Sequence, residues 1–410
     1  MKHAVHRFVP VLLVVVLALA SVSSASAESA TGVDRAAPSQ AAVVHNWEQT
    51  SIDTIYKPPP GMTPTPIPVG VLYLGFTSLA MYRAAQAAGY ARASQVAAIA
   101  VAAHDVLVAY YPDTAGLDEK LAASLSSVPD GWAKQRGTAI GAFIAHRLIK
   151  SREDDGRNDT SIVYSKPPQP GIWQPQPAEM LAPWLGFVDP LVLRAGIKVD
   201  GPDPINSMAY AFDYQEVKRI GAKDGADRTQ SQTDTALFFN SNSAIMVSEA
   251  LLDYLNENPL GLRETARLFA VAHSAMADAI ITCWRLKYEV GFWRPNQAIQ
   301  GAASDGNPAT IPDTSWEPLL PTPPYSDYVS GHGCLTGPAI QAIRNTLGEE
   351  TALTLHSYPT NSDKPYPNLS SIEFDTFHAR IWGGLHFRDA MEDAYYIGHE
   401  AADRVQRQLR

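Results

Sequence analysis

Cysteine is nearly absent from this 410-residue sequence, which contains only Cys283 and Cys334. So few cysteines exclude a scaffold held together by several disulfides and a zinc site built from cysteine thiolates. Whether these two residues pair stays open. A disulfide requires Cα atoms within about 7 Å of each other, and the sequence does not show that distance.

Positive charge is also scarce, because 32 Lys and Arg residues face 42 Asp and Glu residues, giving a formal net charge of −10. An acidic chain of this kind is not expected to bind nucleic acid. The same balance means that any tight cluster of lysine and arginine is locally exceptional.

Long apolar runs are missing after the N-terminus. Basic residues precede the apolar run Phe8 to Ala20, and Ala25-Ser26-Ala27 follows it as a small-residue cleavage site. This pattern predicts a secretory signal peptide over residues 1–27 and an exported chain that starts near Glu28. The run is too short for a membrane anchor. The most apolar later stretch, Val96 to Tyr111, is interrupted by His104 and Asp105, so no membrane span is expected.

Glycine/serine linkers and internal repeats are absent as well. Proline is frequent but concentrated in the stretches Pro58–Pro68, Pro167–Pro183 and Pro308–Pro324. We interpret these as long ordered loops of a single domain over residues 28–410. A division into two domains near residues 166–190 is the alternative.

The segments between the proline clusters are rich in alanine and carry apolar residues three and four positions apart, whereas strand-like alternation is scarce. This spacing predicts helices. The fold class is therefore expected to be all-α, a multi-helix bundle with long Pro-rich loops. The predicted helices are Leu79–Ala88, Ser94–Tyr111, Trp132–Arg152, Asn206–Arg219, Ala244–Asn256, Leu262–Lys287, Leu335–Leu347 and His386–Arg407.

Ser330, Gly331 and His332 stand at the predicted start of a helix, after a polar, Pro-rich approach. Free N–H groups at a helix start suit an anion, glycine allows close approach, and histidine can move a proton near neutral pH. On its own the tripeptide fits a capped helix start equally well, because serine is a common N-cap.

Two further segments contain cations. In the first, Lys287 and Arg294 are seven residues apart, and Pro295 biases Arg294 out of the helix. In the second, Arg380 and His386 lie among apolar residues. Each segment alone has an ordinary interpretation: solvated cations for the first, and a buried salt bridge and a core histidine for the second.

In chain order the three segments read Lys-x6-Arg-Pro, Ser-Gly-His and Arg-x3-Gly-x-His. This order resembles the signature shared by vanadium-dependent haloperoxidases and type 2 phosphatidic acid phosphatases, including bacterial acid phosphatases. The motifs span Lys287 to His386, and weaker resemblance extends over the mature chain. The phrases FWRP and RIWGGLHFR are more similar to exported bacterial haloperoxidase-like proteins than to the phosphatases.

The resemblance implies a role for each motif residue. It implies that Lys287, Arg294 and Arg380 hold the equatorial oxygens of a tetrahedral oxyanion, and that Ser330 and the Gly331 N–H complete this cradle. His386 would bond axially to the vanadium of vanadate or to phosphorus, and His332 would be the acid/base. Three cations suit a doubly charged oxyanion. Phosphate would compete with vanadate for this cradle. Lys287 would also polarise bound peroxide.

Three positions depart from the family pattern. Val329 replaces the proline that usually precedes Ser-Gly-His. The phosphatase pattern places an orienting Asp four residues after the last His, but here that residue is Ala390, with Asp389 one position earlier. Tyr325 lies where haloperoxidases carry Phe or His near the halide site.

The favoured expectation is a secreted vanadate-dependent haloperoxidase that oxidises halide with hydrogen peroxide and halogenates a small organic acceptor. The alternatives are a secreted, metal-independent acid phosphatase acting through phospho-His386, and a non-catalytic oxyanion-binding protein. Other polar and aromatic residues are interpreted mainly as packing residues, although the tryptophans could line a substrate pocket: His104, Asp105, His273, Asp278, Trp173, Trp184, Trp293 and Trp382.

Overall fold

Helices dominate the computed structural model, which describes residues 38–176 and 178–410. The predicted signal peptide lies outside these residues. They form the helices α1 Pro38–Tyr56, α2 Ile67–Tyr90, α3 Gln95–Tyr110, α4 Leu117–Ser126, α5 Trp132–Ser151, α6 Met208–Ile220, α7 Gln230–Phe238, α8 Ser243–Glu257, α9 Leu262–Glu289, α10 Pro295–Gly301, α11 Gly331–Leu347, α12 Leu369–Trp382 and α13 Arg388–Gln408. Short 3-10 turns cover Pro183–Phe187 and Ala302–Ser304. The all-α prediction is confirmed.

One small sheet interrupts the helical pattern of the described residues. Strands β1 (Leu353–Ser357) and β2 (Ser362–Tyr366) pair antiparallel, with Leu353 opposite Tyr366. The Ser357 hydroxyl donates to the Phe238 carbonyl at 2.7 Å, which fixes the hairpin to the end of α7.

Helix α9 lies at the centre of the protein and packs against α2, α11 and α13. Both α2 and α9 are long and apolar enough to cross a membrane, a property that was not expected from the sequence. However, 83% and 94% of their most apolar windows, respectively, are buried inside the protein. Core helices of a globular bundle have this character, because apolar residues surround them on all sides.

The eight predicted helices are all present, some with different ends. Helix α2 begins at Ile67, twelve residues before the predicted Leu79, because Pro68 lies in its first turn, where proline is tolerated. Ser94 caps α3 as predicted, its hydroxyl accepting from the Ala97 N–H. The helices α1, α4, α7, α10 and α12 and the hairpin were not predicted.

The described residues fall within one compact unit. Its bundle brings the C-terminal ends of α9 and α12 towards the N-terminal ends of α11 and α13. The connections between these helices carry the three sequence motifs, so the fold gathers residues that lie up to a hundred positions apart in the chain.

Candidate oxyanion site

Helix α11 begins at Gly331, four residues before the predicted start at Leu335. Ser330 is the N-cap, and its buried hydroxyl accepts from the Gly333 N–H at 3.5 Å. Gly331 is the first helical residue. A Cβ at Gly331 would meet Trp284 no closer than 3.4 Å, an ordinary contact, so protein packing alone does not require glycine there. A bare backbone at a helix N-terminus is suited to a bound anion.

Lys287 lies in the last turn of α9 and is completely buried. Its Nζ donates to the carbonyls of Ser326 and Asp327 at 2.8 and 2.9 Å. Burial lowers the pKa of Lys287 to about 8. The helix C-terminus favours a cation at this place, and the two carbonyls aim the ammonium towards the loop that precedes Ser330.

Arg294 is the N-cap residue of α10, just outside the preceding helix, as Pro295 predicted. Its guanidinium is buried and held by three contacts: Nε donates to the Tyr325 carbonyl at 2.8 Å, and Nη1 donates to the Leu385 carbonyl at 2.8 Å and to His386 Nε2 at 3.1 Å. Nη2 has no hydrogen-bond partner in the described part of the chain.

Arg380 lies in the last turn of α12 and is also buried. Its Nη1 donates to the Phe239 carbonyl at 3.4 Å, whereas Nε lacks a partner among residues 38–176 and 178–410. Burial lowers the pKa of Arg380 to about 10. Arg294 and Arg380 thus each keep a donor free inside the protein.

His386 follows a tight connection between α12 and α13. Gly384 has a φ of +74°, and a Cβ there would lie 2.5 Å from the Gly221 carbonyl oxygen, so only glycine fits this turn. Burial and then the charges of Arg294, Lys287 and Arg380 hold the pKa of His386 well below its usual range. The imidazole is therefore neutral at physiological pH and surrounded by all three cations.

His332 lies in the first turn of α11. Burial, followed by the charge of Arg380, lowers its pKa well below the usual range. Its Nε2 has no hydrogen-bond partner within the described residues. A neutral imidazole with a free ring nitrogen can accept a proton.

The three buried cations are not balanced by the protein. Asp327 is the nearest carboxylate, 4.0 Å from Arg294 Nη1, and burial raises its pKa to about 7. Buried charges and unsatisfied donors destabilise a protein unless a partner compensates them. The excess positive charge and the free N–H groups of Arg294 and Arg380 therefore fit a tetrahedral oxyanion such as vanadate or phosphate. In contrast, the described residues contain no cluster of three or more His, Cys, Asp or Glu side chains that could hold a metal cation.

Sequence reasoning missed Asp327. Its Oδ1 lies 2.8 Å from Nδ1 of His386, and its side chain is fully buried. The family spacing for a carboxylate near His386 points instead to Ala390 and Asp389. Asp389 accepts from the Asp203 N–H at 3.3 Å. An Asp three residues before Ser330, inside a predicted site, was the signal available.

A cavity of about 490 Å³ connects the cradle to the surface. Tyr325, His332 and Arg380 line its inner part, and Pro321, Pro323 and Tyr358 are among the other lining residues. The Tyr325 ring lies 5.0 Å from Lys287 Nζ and 4.9 Å from the Arg294 guanidinium carbon. The phenol thus covers the cations on the cavity side.

Other residues singled out in the sequence lie elsewhere. None of the four tryptophans considered lines this cavity. His273 bonds to the hydroxyls of Ser78 and Ser248, and Asp278 accepts three backbone N–H groups, so their packing role is confirmed. Cys283 and Cys334 are buried free thiols.

Comparison with known proteins supports the superfamily prediction. Residues 267–410 match the family described as the VCPO second helical-bundle domain. The chain is 35% identical over 85 residues to vanadium chloroperoxidase of Curvularia inaequalis, a match that spans 19% of this chain and only 14% of that protein.

Two crystal structures share the fold. A bacterial vanadium-dependent iodoperoxidase superposes with a TM-score of 0.69 and 20% identity, covering 91% of this chain and 96% of the other. An apo-type bacterial vanadium-dependent chloroperoxidase superposes with a TM-score of 0.67 and 16% identity, covering 85% of this chain and 95% of the other.

The family match over residues 267–410 and the three ordered motifs support the similarity of this part of the chain to the superfamily of vanadium-dependent haloperoxidases and type 2 phosphatidic acid phosphatases. Within it, the relatives found are vanadium haloperoxidases.

Proposed function

We propose that this protein is a secreted vanadate-dependent haloperoxidase, which oxidises halide with hydrogen peroxide and delivers the product to a small organic acceptor. One observation carries the proposal: three buried cations surround a neutral histidine while two of their N–H groups lack protein partners among the described residues. The relatives named for vanadium chemistry favour vanadate as the anion.

The cradle residues account for binding. Lys287, Arg294 and Arg380 would hold the oxygens of the oxyanion, assisted by Ser330 and the Gly331 N–H at the start of α11. Fixed donors of this kind stabilise charge without reorganising, because the fold has already placed them. His386 would hold the anion through Nε2, since its ring is neutral and this nitrogen lies on the side of Arg294 Nη1, 3.1 Å away.

The residues on the cavity side account for turnover. When bound, vanadate supplies Lewis-acid activation of hydrogen peroxide towards halide. His332 Nε2 would accept the proton that peroxide loses on entering the cradle and later return it to the departing oxygen. Lys287 would stabilise developing negative charge through its buried ammonium. In the net reaction halide, hydrogen peroxide and one proton give a hypohalous-acid-like halogenating species and one water.

The organic acceptor would occupy the 490 Å³ cavity, whose volume lies in the range of small-molecule sites. Proline and tyrosine side chains give this cavity apolar walls next to the cradle. An acceptor bound there would meet the oxidised halide before it reaches bulk water.

A metal-independent phosphatase is the second candidate, because a cradle for a tetrahedral anion fits phosphate as well. A neutral His386 is a competent nucleophile for phosphoryl transfer. Ala390, at the position where the phosphatase pattern has Asp, disfavours this candidate. Export remains part of the proposal and is supported by the apolar run and small-residue cleavage site within residues 1–27.

The test is reconstitution of the purified protein with orthovanadate, followed by halogenation of a phenol indicator with peroxide and bromide. A parallel sample without vanadate is assayed on p-nitrophenyl phosphate. Vanadate-dependent halogenation supports the proposal. Phosphatase activity without halogenation would contradict it, and tight oxyanion binding without either activity would indicate a non-catalytic binding protein.

A further inference from the structure

We propose that Asp327 is the positioning residue of His386: its carboxylate fixes the imidazole as the Nδ1–H tautomer, so that the Nε2 lone pair faces the cradle. This inference rests on the proposed function for its consequence, the axial bond, but its geometric basis is independent of activity.

The tautomer follows from the two neighbours of the ring. Arg294 Nη1 lies 3.1 Å from His386 Nε2, and an arginine can only donate, so Nε2 must be the acceptor. The single proton of a neutral imidazole is then on Nδ1. Asp327 Oδ1 lies 2.8 Å from that nitrogen on the other side of the ring. A carboxylate behind a ligating histidine is the arrangement that fixes ring orientation and raises basicity.

The backbone of Asp327 holds the carboxylate in this place. Its N–H donates to the Phe292 carbonyl at 2.9 Å, and its own carbonyl accepts from Lys287 Nζ at 2.9 Å. Neither carboxylate oxygen, nor Nδ1 of His386, makes a hydrogen bond among the described residues, so the 2.8 Å contact is a close approach without hydrogen-bond alignment. His386 is therefore the principal close partner of the side chain, with Arg294 at 4.0 Å as the next.

The position four residues after His386 cannot serve this purpose. Ala390 has no carboxylate, and its backbone carbonyl accepts from the Ser330 N–H at 2.9 Å. Asp389 bonds to the Asp203 N–H. The carboxylate that supports His386 thus comes from the segment before Ser330 rather than from the start of α13.

If Asp327 had only an electrostatic role, its mutation would change vanadate binding in the opposite direction to that expected from a positioning role. If Asp327 only offset the charges of Lys287 and Arg294, removing its charge would strengthen the binding of every oxyanion. If it positions His386, its loss would weaken the binding of vanadate, which would depend on a bond to Nε2, and would leave phosphate binding unchanged or tighter. The ratio of the two affinities separates these roles.

The experiment measures orthovanadate and inorganic phosphate binding by calorimetry at pH 8, with wild type, Asp327→Asn and Asp327→Leu. Asp389→Asn is the matched control, since it removes a nearby carboxylate that does not contact His386. We expect the vanadate-to-phosphate affinity ratio to fall by about tenfold to a hundredfold in both Asp327 variants, as for other supporting partners of a ligating histidine, and to be unchanged in Asp389→Asn.

A second measurement does not require vanadate. Nitrogen-15 NMR of histidine-labelled protein, with His386 assigned by comparison with His386→Gln, reports the tautomer directly. We expect a fixed Nδ1–H form in wild type and a mixture of tautomers in Asp327→Leu.

An unchanged affinity ratio, or identical His386 signals in wild type and Asp327→Leu, would overturn the positioning role. Wild type that binds vanadate but does not halogenate would instead contradict only the proposed function. If wild type bound no vanadate, the tautomer measurement would decide the role of Asp327.

Discussion

Nη1 of Arg294 lies 3.1 Å from Nε2 of His386, although 92 residues separate the two in the chain. An oxyanion that bonds to Nε2 has to replace this hydrogen bond, and the freed Nη1 then becomes a donor to the oxyanion itself. Under the proposed function, Arg294 would therefore change partner when the anion binds.

His332 should affect rate rather than binding. In His332→Ala we expect vanadate to stay bound while halogenation falls by about a hundredfold to ten-thousandfold, the usual effect of losing an acid/base group. His356→Ala, in the exposed hairpin, is the control. Calorimetry gives the affinity and indicator halogenation gives the turnover. Full activity in His332→Ala would reduce Ser330-Gly331-His332 to a capped helix start.

Tyr325 should favour bromide over chloride, because a polar phenol lies beside the cradle where chloride users carry Phe. Tyr325→Phe is expected to raise the ratio of the chloride rate to the bromide rate. Tyr358→Phe is a suitable control, since Tyr358 lines the same cavity but bonds to Glu249. The measurement is kcat/KM for each halide. Equal wild-type rates for the two halides would show that the phenol does not set this preference.

Gly384→Ala should destabilise the fold strongly. The added Cβ would lie 2.5 Å from the Gly221 carbonyl oxygen, and the residue would also have to adopt a positive φ. Gly306 provides a matched control, since its φ of +76° is similar but a Cβ added there would meet no atom within 4 Å. We expect Gly306→Ala to cost about 1–2 kcal/mol and Gly384→Ala clearly more, measured by denaturant unfolding. Equal costs would mean that the connection before His386 relaxes freely.

Asp389 should make stability depend on pH. Burial, followed by repulsion from Asp393, raises its pKa to about 7, and Asp203 and Asp213 also face it. A carboxyl group with a raised folded-state pKa stabilises the protein at low pH, and this contribution disappears as the pH rises from about 4 through 7. Asp389→Asn should therefore flatten the fall in melting temperature between pH 5 and 8, whereas exposed Asp224→Asn should not. Parallel melting curves for wild type and Asp389→Asn would contradict this.

Much of the fold could be predicted, because amphipathic helices such as α13 show their period and Ser94 is a recognisable cap of α3. The predicted range of helix α2 was too short for two reasons. The helix is buried on most of its surface and lacks a polar face, and Pro68 suggested a loop. Short helices such as α7 and α10 carry too few apolar repeats to be distinguished from loops.

The motif residues of the candidate site could be proposed because their order in the chain is itself distinctive. Asp327 could not be assigned to His386, because 59 residues separate the two and only the three-dimensional fold brings them within 2.8 Å. The cavity was equally hidden, since its walls come from the Pro-rich loops and the hairpin, far apart in sequence.

The central claim, that the buried cations and His386 form one oxyanion site, is tested most directly by calorimetric titration of orthovanadate into wild type and His386→Ala. The titration is performed in phosphate-free buffer and repeated with added phosphate. We expect one vanadate per chain in wild type, competition by phosphate, and severely weakened vanadate binding in His386→Ala. Unchanged vanadate affinity in His386→Ala would contradict the site assignment as a whole.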